Sequence, residues 1–314
     1  MSGAAAVVWR RALALGSVCV AGLAAVYVGA VWTAAGQRFE DAVLRSADLV
    51  AGTAERASAL TTLDAVTVPS VISAMTLILL TGWLRRRLLL GFLSMGMVLA
   101  AIVTSEVFQR FAQRPILLAQ GFRREDQSFP SGHATVAMSL MCALVMVAPY
   151  RLRGPVVVFT SLAAAGVGVA TVTASWHRPS DTIGAGLIVV GCACAAVAVL
   201  ARCGRVREAA VPTPVGRALR GLLAGAYAGV AVVAFAVAVV VVDTVLTAPD
   251  RGGTAAAVLL AGRSLALSGS AAVAVALLAL LCHVDLGAPA ADPAGEGSSD
   301  AESRHTGDHR PSGT

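Results

Sequence analysis

Apolar runs of about twenty residues recur along most of this chain, and that recurrence limits what it can fold into. A helix of about 20 residues, rising 1.5 Å per residue, spans the ~30 Å hydrocarbon core of a bilayer. No water pairs free backbone groups there, so a spanning segment outside a closed barrel is helical. Runs at residues 12–32, 65–84, 88–108, 133–150, 155–174 and 182–201 meet this length, and two more end near residues 246 and 283. Together they predict an all-α polytopic membrane bundle of about eight transmembrane helices. Charged residues make up 13% of the chain, against about 25% in a soluble domain, which excludes an ordinary soluble fold. The net charge of +6 comes from arginines beside spans, so it needs no nucleic acid partner.

The segments between the runs set boundaries and orientation. Arg10 and Arg11 precede the first run, which is longer than the 7–15-residue core of a signal peptide. It therefore reads as an uncleaved first span, although Ala34-Ala35-Gly36 faintly resembles a cleavage site. Residues 37–64 are polar, with Phe39, Val43 and Val50 near one helical face and Glu40, Asp41, Arg45 and Asp48 among them. Either an external interfacial helix or a solvated linker fits them. Arginines at 85–87, at 151 and 153, and between 202 and 220 fall on alternate connections and share a side with Arg10 and Arg11. The positive-inside rule makes that side cytoplasmic, with both termini inside. The expected organisation is a membrane-embedded unit over 1–203, two further spans over 204–284 and a disordered tail over 285–314. The six cysteines show neither a disulfide framework nor a zinc spacing, and Cys192-Ala193-Cys194 reads as small packing residues. No metal or cofactor is implied, and nothing in the residues gives the oligomeric state.

Two polar phrases then fall together on the opposite, extracytoplasmic side. In the first, Pro130-Ser131-Gly132-His133 runs straight into an apolar helical stretch. Ser131 is a natural N-cap, and Gly132 lets a ligand approach the backbone. A helix start offers unpaired N–H groups to an oxyanion, and His133 in that first turn suits proton donation. In the second phrase, Trp176-His177-Arg178-Pro179-Ser180-Asp181, Pro179 places a helix start after Arg178. Asp181 then lies one turn inside, able to reach back to an imidazole nitrogen of His177 and fix its tautomer. Arg114-Pro115 supplies a guanidinium suited to two hydrogen bonds with phosphate, and Arg110 lies one turn earlier if the helix continues that far.

In this order and on one face, these pieces resemble the type 2 phosphatidic acid phosphatase superfamily, the lipid phosphatase and vanadium haloperoxidase group. Its motifs are Lys-(x)6-Arg-Pro, Pro-Ser-Gly-His and Ser-Arg-(x)5-His-(x)3-Asp. The second is complete at Pro130–His133, and the third retains His177 and Asp181. The resemblance covers about residues 110–186 and implies a six-helix phosphatase core. It also implies a lipid phosphate or polyprenyl (pyro)phosphate as substrate, reached from the surrounding membrane lipids. His177 would attack phosphorus, Asp181 would orient it and His133 would protonate the leaving oxygen. Ser131, the Gly132 N–H and Arg114 would hold the phosphoryl oxygens. The family lysine falls at Val107, and the Ser-Arg pair falls at Ala170-Thr171. Arg110 is the expected substitute for the lysine, and Arg178, Arg123 or Arg124 for the missing arginine. The alternative is an inactive relative that binds or transports a lipid phosphate. Elsewhere, Asp243 and Arg263 read as a structural ion pair between neighbouring helices or as snorkelling side chains, Glu106 as able to orient Arg110, and His283 as structural.

Overall fold

The computed structural model describes residues 3–50, 52–118, 128–209, 214–247 and 255–287. Among these the chain is an all-α bundle with one two-stranded ribbon. In order it runs α1 (Gly3–Val26, continued by a π-helical turn Tyr27–Val31), α2 (Ala34–Asp48), α3 (Ala54–Asp64), α4 (Val68–Leu84) and α5 (Leu88–Phe111). Then follow α6 (Gly132–Val147), α7 (Arg153–Thr173), α8 (Pro179–Arg202), β1 (Val206–Glu208), α9 (Pro214–Thr247), α10 (Ala255–Leu280) and β2 (Val284–Leu286). All eight expected spans are helical. Six helices, or seven if the bent α3–α4 pair counts as one span, are long and apolar enough to cross a membrane. The chain is thus a multi-pass membrane protein. The 16 residues of α6 and the 17 of α4 reach only about 24–26 Å, short of the ~30 Å core.

α8 is the axis of the bundle, packing against α1, α5, α6 and α10. Two-thirds of its apolar window is buried, against 11% for α1 and α9, which present most of their surface outward. α10 packs on α7 and α8 as well as on α9, in the close contact that small residues permit between membrane helices. The segment 37–64 is not a linker: its described residues form most of α2 and all of α3. α2 buries Phe39, Glu40, Asp41, Val43 and Leu44 and docks on α10, where a Cβ at Gly262 would stand 2.5 Å from Val43.

The end bearing β1 and β2 is fastened by charge. The strands pair antiparallel, Val206 opposite Leu286 and Glu208 opposite Val284. Arg87 donates to both carboxylate oxygens of Asp285, at 2.6 and 2.7 Å, and to the Leu286 carbonyl. Asp285 and Leu286, which the expected disordered tail included, are instead held by a bidentate ion pair and a strand pairing; the rest of that expected tail, 288–314, lies outside the described residues. Arg263 bonds Glu55 at 2.7 Å and the Thr173 hydroxyl at 3.0 Å, so it reaches α3 and α7 and its carboxylate partner is Glu55. The reason is that α10 packs on α7, which in turn carries α3 against its outer face.

Burial alone would raise the Asp285 carboxyl, but the hydrogen bonds from Arg87 hold it below its usual value of 3.8. Its stabilising contribution is therefore complete above pH 3.8 and is lost as the pH falls through the lower folded value. Asp285→Asn should cost about 2 kcal/mol at neutral pH, the scale of hydrogen bonds to a charged group. Thermal unfolding in detergent would show this, with the gap between variant and parent closing in acid.

Candidate active site

The two polar phrases meet at the paired starts of α6 and α8. Ser131 caps α6 as its position predicts, its hydroxyl accepting the Ala134 N–H at 3.3 Å. Its own N–H donates to the Asp181 carbonyl at 2.9 Å, so one backbone bond ties the first phrase to the second. Gln109 on α5 adds a side-chain hydrogen bond to the Pro130 carbonyl. Phe129 anchors the loop from below. Its ring is fully buried, 5.5 Å from that of Tyr27 and 6.5 Å from that of Phe108. Gly184 makes room for it, since a Cβ there would lie 2.5 Å from the end of the ring.

Pro179 starts α8 as expected, leaving His177 on the incoming loop and Asp181 in the first turn. One oxygen of Asp181, Oδ2, accepts the Ser128 hydroxyl at 2.7 Å and the Arg178 N–H at 2.9 Å. The same oxygen lies 3.4 Å from Nδ1 of His177, and the Ser128 carbonyl lies 3.2 Å from that nitrogen. Two acceptors on Nδ1 fix the proton there and leave Nε2 with its lone pair. His133 packs its ring on Trp176, with centroids 5.4 Å apart.

His133, His177 and Gly132 line one cavity of 520 Å³. Its walls are mostly apolar side chains of α4 and α5, such as Val71, Ile72 and Ile102, with Glu106 and Gln109 of α5 and Thr135 of α6 among them. At the first turn of α6 the Gly132 and His133 N–H groups lie ahead of the intrahelical ladder, so the cavity carries a helix start. An apolar chamber ending in two imidazoles and a helix N-terminus suits an amphiphile with an anionic head.

The cations are disposed differently from expectation. Among the described residues no arginine lines the cavity. Arg114 is ion-paired with Glu40 of α2. Arg178 is nearly buried, 3.9 Å from Glu40 and 3.5 Å from Asp41, and also donates to Ser128 at 3.3 Å. One buried nitrogen of Arg114, Nη1, keeps no hydrogen-bond partner among the described residues. α5 ends at Phe111, since Pro115 disfavours helix at the residue before it. Arg110 therefore stays on the exposed face of the last helical turn while Arg114 leaves on an extended segment, and the two do not share a face. No ion pair joins Arg110 to Glu106, which instead lines the cavity. Arg123 and Arg124 lie outside the described residues.

Three participants were missed from the sequence. Ser128 joins Asp181, His177 and Arg178, and its place two residues before Pro130 was the available signal. Glu40 and Asp41 lie more than 130 residues from Arg178 on an amphipathic helix, where acidic residues ordinarily face water. Burial pushes the Glu40 carboxyl up to about 7, although Arg114 beside it pulls the other way.

A family model described as the PAP2 superfamily matches residues 90–205, from α5 through α8. No curated protein and no solved structure matches the chain.

Two predictions follow from this geometry. Gly184→Ala should overpack the ring of Phe129 and cost about 1–3 kcal/mol, read as a lower unfolding temperature. Glu40 carries charge above pH 7, where it offsets one of the two guanidiniums, and loses that charge below. At an effective dielectric of ~20, a unit charge acting over roughly 15 Å is worth about 1 kcal/mol. Glu40→Gln should thus bind inorganic phosphate about fivefold more tightly than the parent at pH 8, with the difference vanishing by pH 6. Isothermal titration across that range would measure it.

Proposed function

We propose, from the PAP2 superfamily match over residues 90–205 that holds both histidines, that the chain is a membrane phosphatase. Its substrate in this reading is a lipid-linked phosphate or pyrophosphate, hydrolysed on the extracytoplasmic side through a phosphohistidine. The observation that carries the reading is that His133 and His177 line the same apolar-walled cavity while Asp181 and the Ser128 carbonyl hold the Nδ1 edge of His177.

The steps follow from that geometry. Nε2 of His177 donates its lone pair to phosphorus as the bond from phosphorus to the ester or anhydride oxygen breaks. The imidazolium formed is stabilised by the Asp181 carboxylate against Nδ1. His133 gives its proton to the departing oxygen. The start of α6, at Gly132 and His133 and capped by Ser131, holds the phosphoryl oxygens. A water molecule, deprotonated by His133, then attacks the phosphohistidine and breaks the P–N bond, releasing phosphate and restoring both histidines. The substrate's apolar chain lies along α4 and α5, where the wall of the cavity is apolar. Arginines gathered at the far end of the helices support the extracytoplasmic assignment.

A second reading rests on a specific observation. Glu40 and Asp41 engage both Arg114 and Arg178, which leaves little uncompensated cation for turnover. In that reading the chain binds or carries a lipid phosphate without hydrolysing it.

Phosphate release from a polyprenyl pyrophosphate by purified protein separates the two. His177→Ala should abolish release, Asp181→Asn should lower it sharply, and His133→Ala should lower it about 10²–10⁴-fold. Release that survives His177→Ala removes the proposed nucleophile. A parent protein that binds the lipid with no turnover establishes the second reading.

A further inference from the structure

The end of the bundle opposite the histidines holds a second cluster of cations, unconnected with the chemistry above. α6 carries the chain about 24 Å from His133 to a turn bearing Tyr150, from which Arg153 opens α7. There a cavity of 350 Å³ lies between α7, α9 and α10, and Tyr150, Arg153, Arg217, Arg220 and His283 line it. Its remaining wall is apolar, formed by side chains such as Leu223 of α9 and Leu278 of α10.

The polar groups of this cavity are largely unspent. Nε and Nη2 of Arg153, Nη1 of Arg220 and the Tyr150 hydroxyl are all buried and have no hydrogen-bond partner among the described residues. Arg153 is only 5% exposed, and a single bond, from Nη1 to the Val284 carbonyl, occupies its guanidinium. The two guanidiniums flank one aromatic ring. That of Arg220 sits 3.8 Å from the Tyr150 centroid and that of Arg153 sits 5.7 Å away.

No carboxylate among the described residues lines the cavity. Asp285, beyond its edge, is already held by both terminal nitrogens of Arg87 and by Arg85 at 3.6 Å. Glu208 is exposed on β1 and faces a neighbouring cavity. Removing guanidinium donors from water without acceptors is costly, and the compensation such a site selects is an anion with several oxygens. Arginine forks match phosphate in particular.

We propose that this cavity binds the phosphate group of an anionic phospholipid. Arg153 and Arg220 donate to the phosphate oxygens, the Tyr150 hydroxyl donates a further bond, and Arg217 closes the outer side. The acyl chain lies on the apolar wall of α9 and α10. Basic pockets between membrane helices recognise lipid headgroups by this chemistry. The site would make α9, the least buried of the later helices, dependent on a lipid for its seat against α7 and α10. It stands apart from the histidine cavity and does not rest on the phosphatase reading.

The test uses the full chain in phosphatidylcholine micelles, titrated separately with phosphatidylglycerol and with inorganic phosphate, with bound lipid counted by native mass spectrometry. Arg220→Gln is the main variant, because among the described residues Arg220 bonds no backbone group and Gln keeps much of the stem that packs by Tyr150. Arg153→Gln is the second, accepted only where its unfolding temperature in detergent matches the parent. The proposal expects one phosphatidylglycerol per chain, bound about tenfold more weakly by Arg220→Gln. Equal retention by parent and variant would overturn it. Phosphate that binds in an Arg220-dependent way while the lipid does not would also overturn it, in favour of a free anion. Lipid binding that appears only after removal of residues 288–314 would overturn it in favour of the chain's own acidic tail as the resident anion.

Discussion

The carboxylate of Asp181 is the point on which the site depends. It is fully buried in the first turn of α8, and a single oxygen gathers a hydroxyl from the Ser128 loop, a backbone N–H from Arg178 and the imidazole of His177. Its own carbonyl receives the N–H of the α6 N-cap. One residue thus joins two loops that lie about fifty positions apart and sets the tautomer of the ring between them. A buried carboxylate is tolerated only when hydrogen bonds replace its water, so the burial and the convergence of donors are the same fact. Remove the charge and both the loop and the imidazole lose their reference point.

Around that centre the charge balance is tight. The sequence marked Arg114 as an expected phosphate-holding cation, yet α2 brings Glu40 and Asp41 against Arg114 and Arg178. The two guanidiniums are therefore part of a buried network as much as they are sources of positive potential. The Glu40 carboxyl, pushed up to about 7, makes that balance sensitive to pH in the range where a second charge on phosphate also changes. The cavity itself presents a helix start, two imidazoles and Glu106, a milder field than a ring of cations.

The other end of the molecule shows a different solution to burying charge. Arg87 and Asp285 neutralise each other in a bidentate pair that closes the β-ribbon. Arg153 and Arg220, stacked about Tyr150, keep donors in hand. One cluster is complete within the chain, and the other is complete only with an anion.

The sequence by itself determined the helical class, the position of every long helix and the local geometry of the two phrases. Those properties depend on short-range rules: an apolar run too long for anything but a spanning helix, a serine before a helix start, a proline that forbids the turn before it. Hence Ser131 caps α6, and Asp181 reaches back to His177 as four-residue spacing allows. Only the tertiary structure decided which charges meet. Glu40 and Asp41 reach Arg114 and Arg178 because α2 docks on α10 and is carried over the segment that follows α5 and the loop that precedes α8. Arg263 finds Glu55 because α10 lies against α7. Asp285 is fixed because two strands pair at the bundle's end. No periodicity records such pairings, since an arginine's partner is set by helix packing across the whole chain, while a cap or a turn is set by the next four residues.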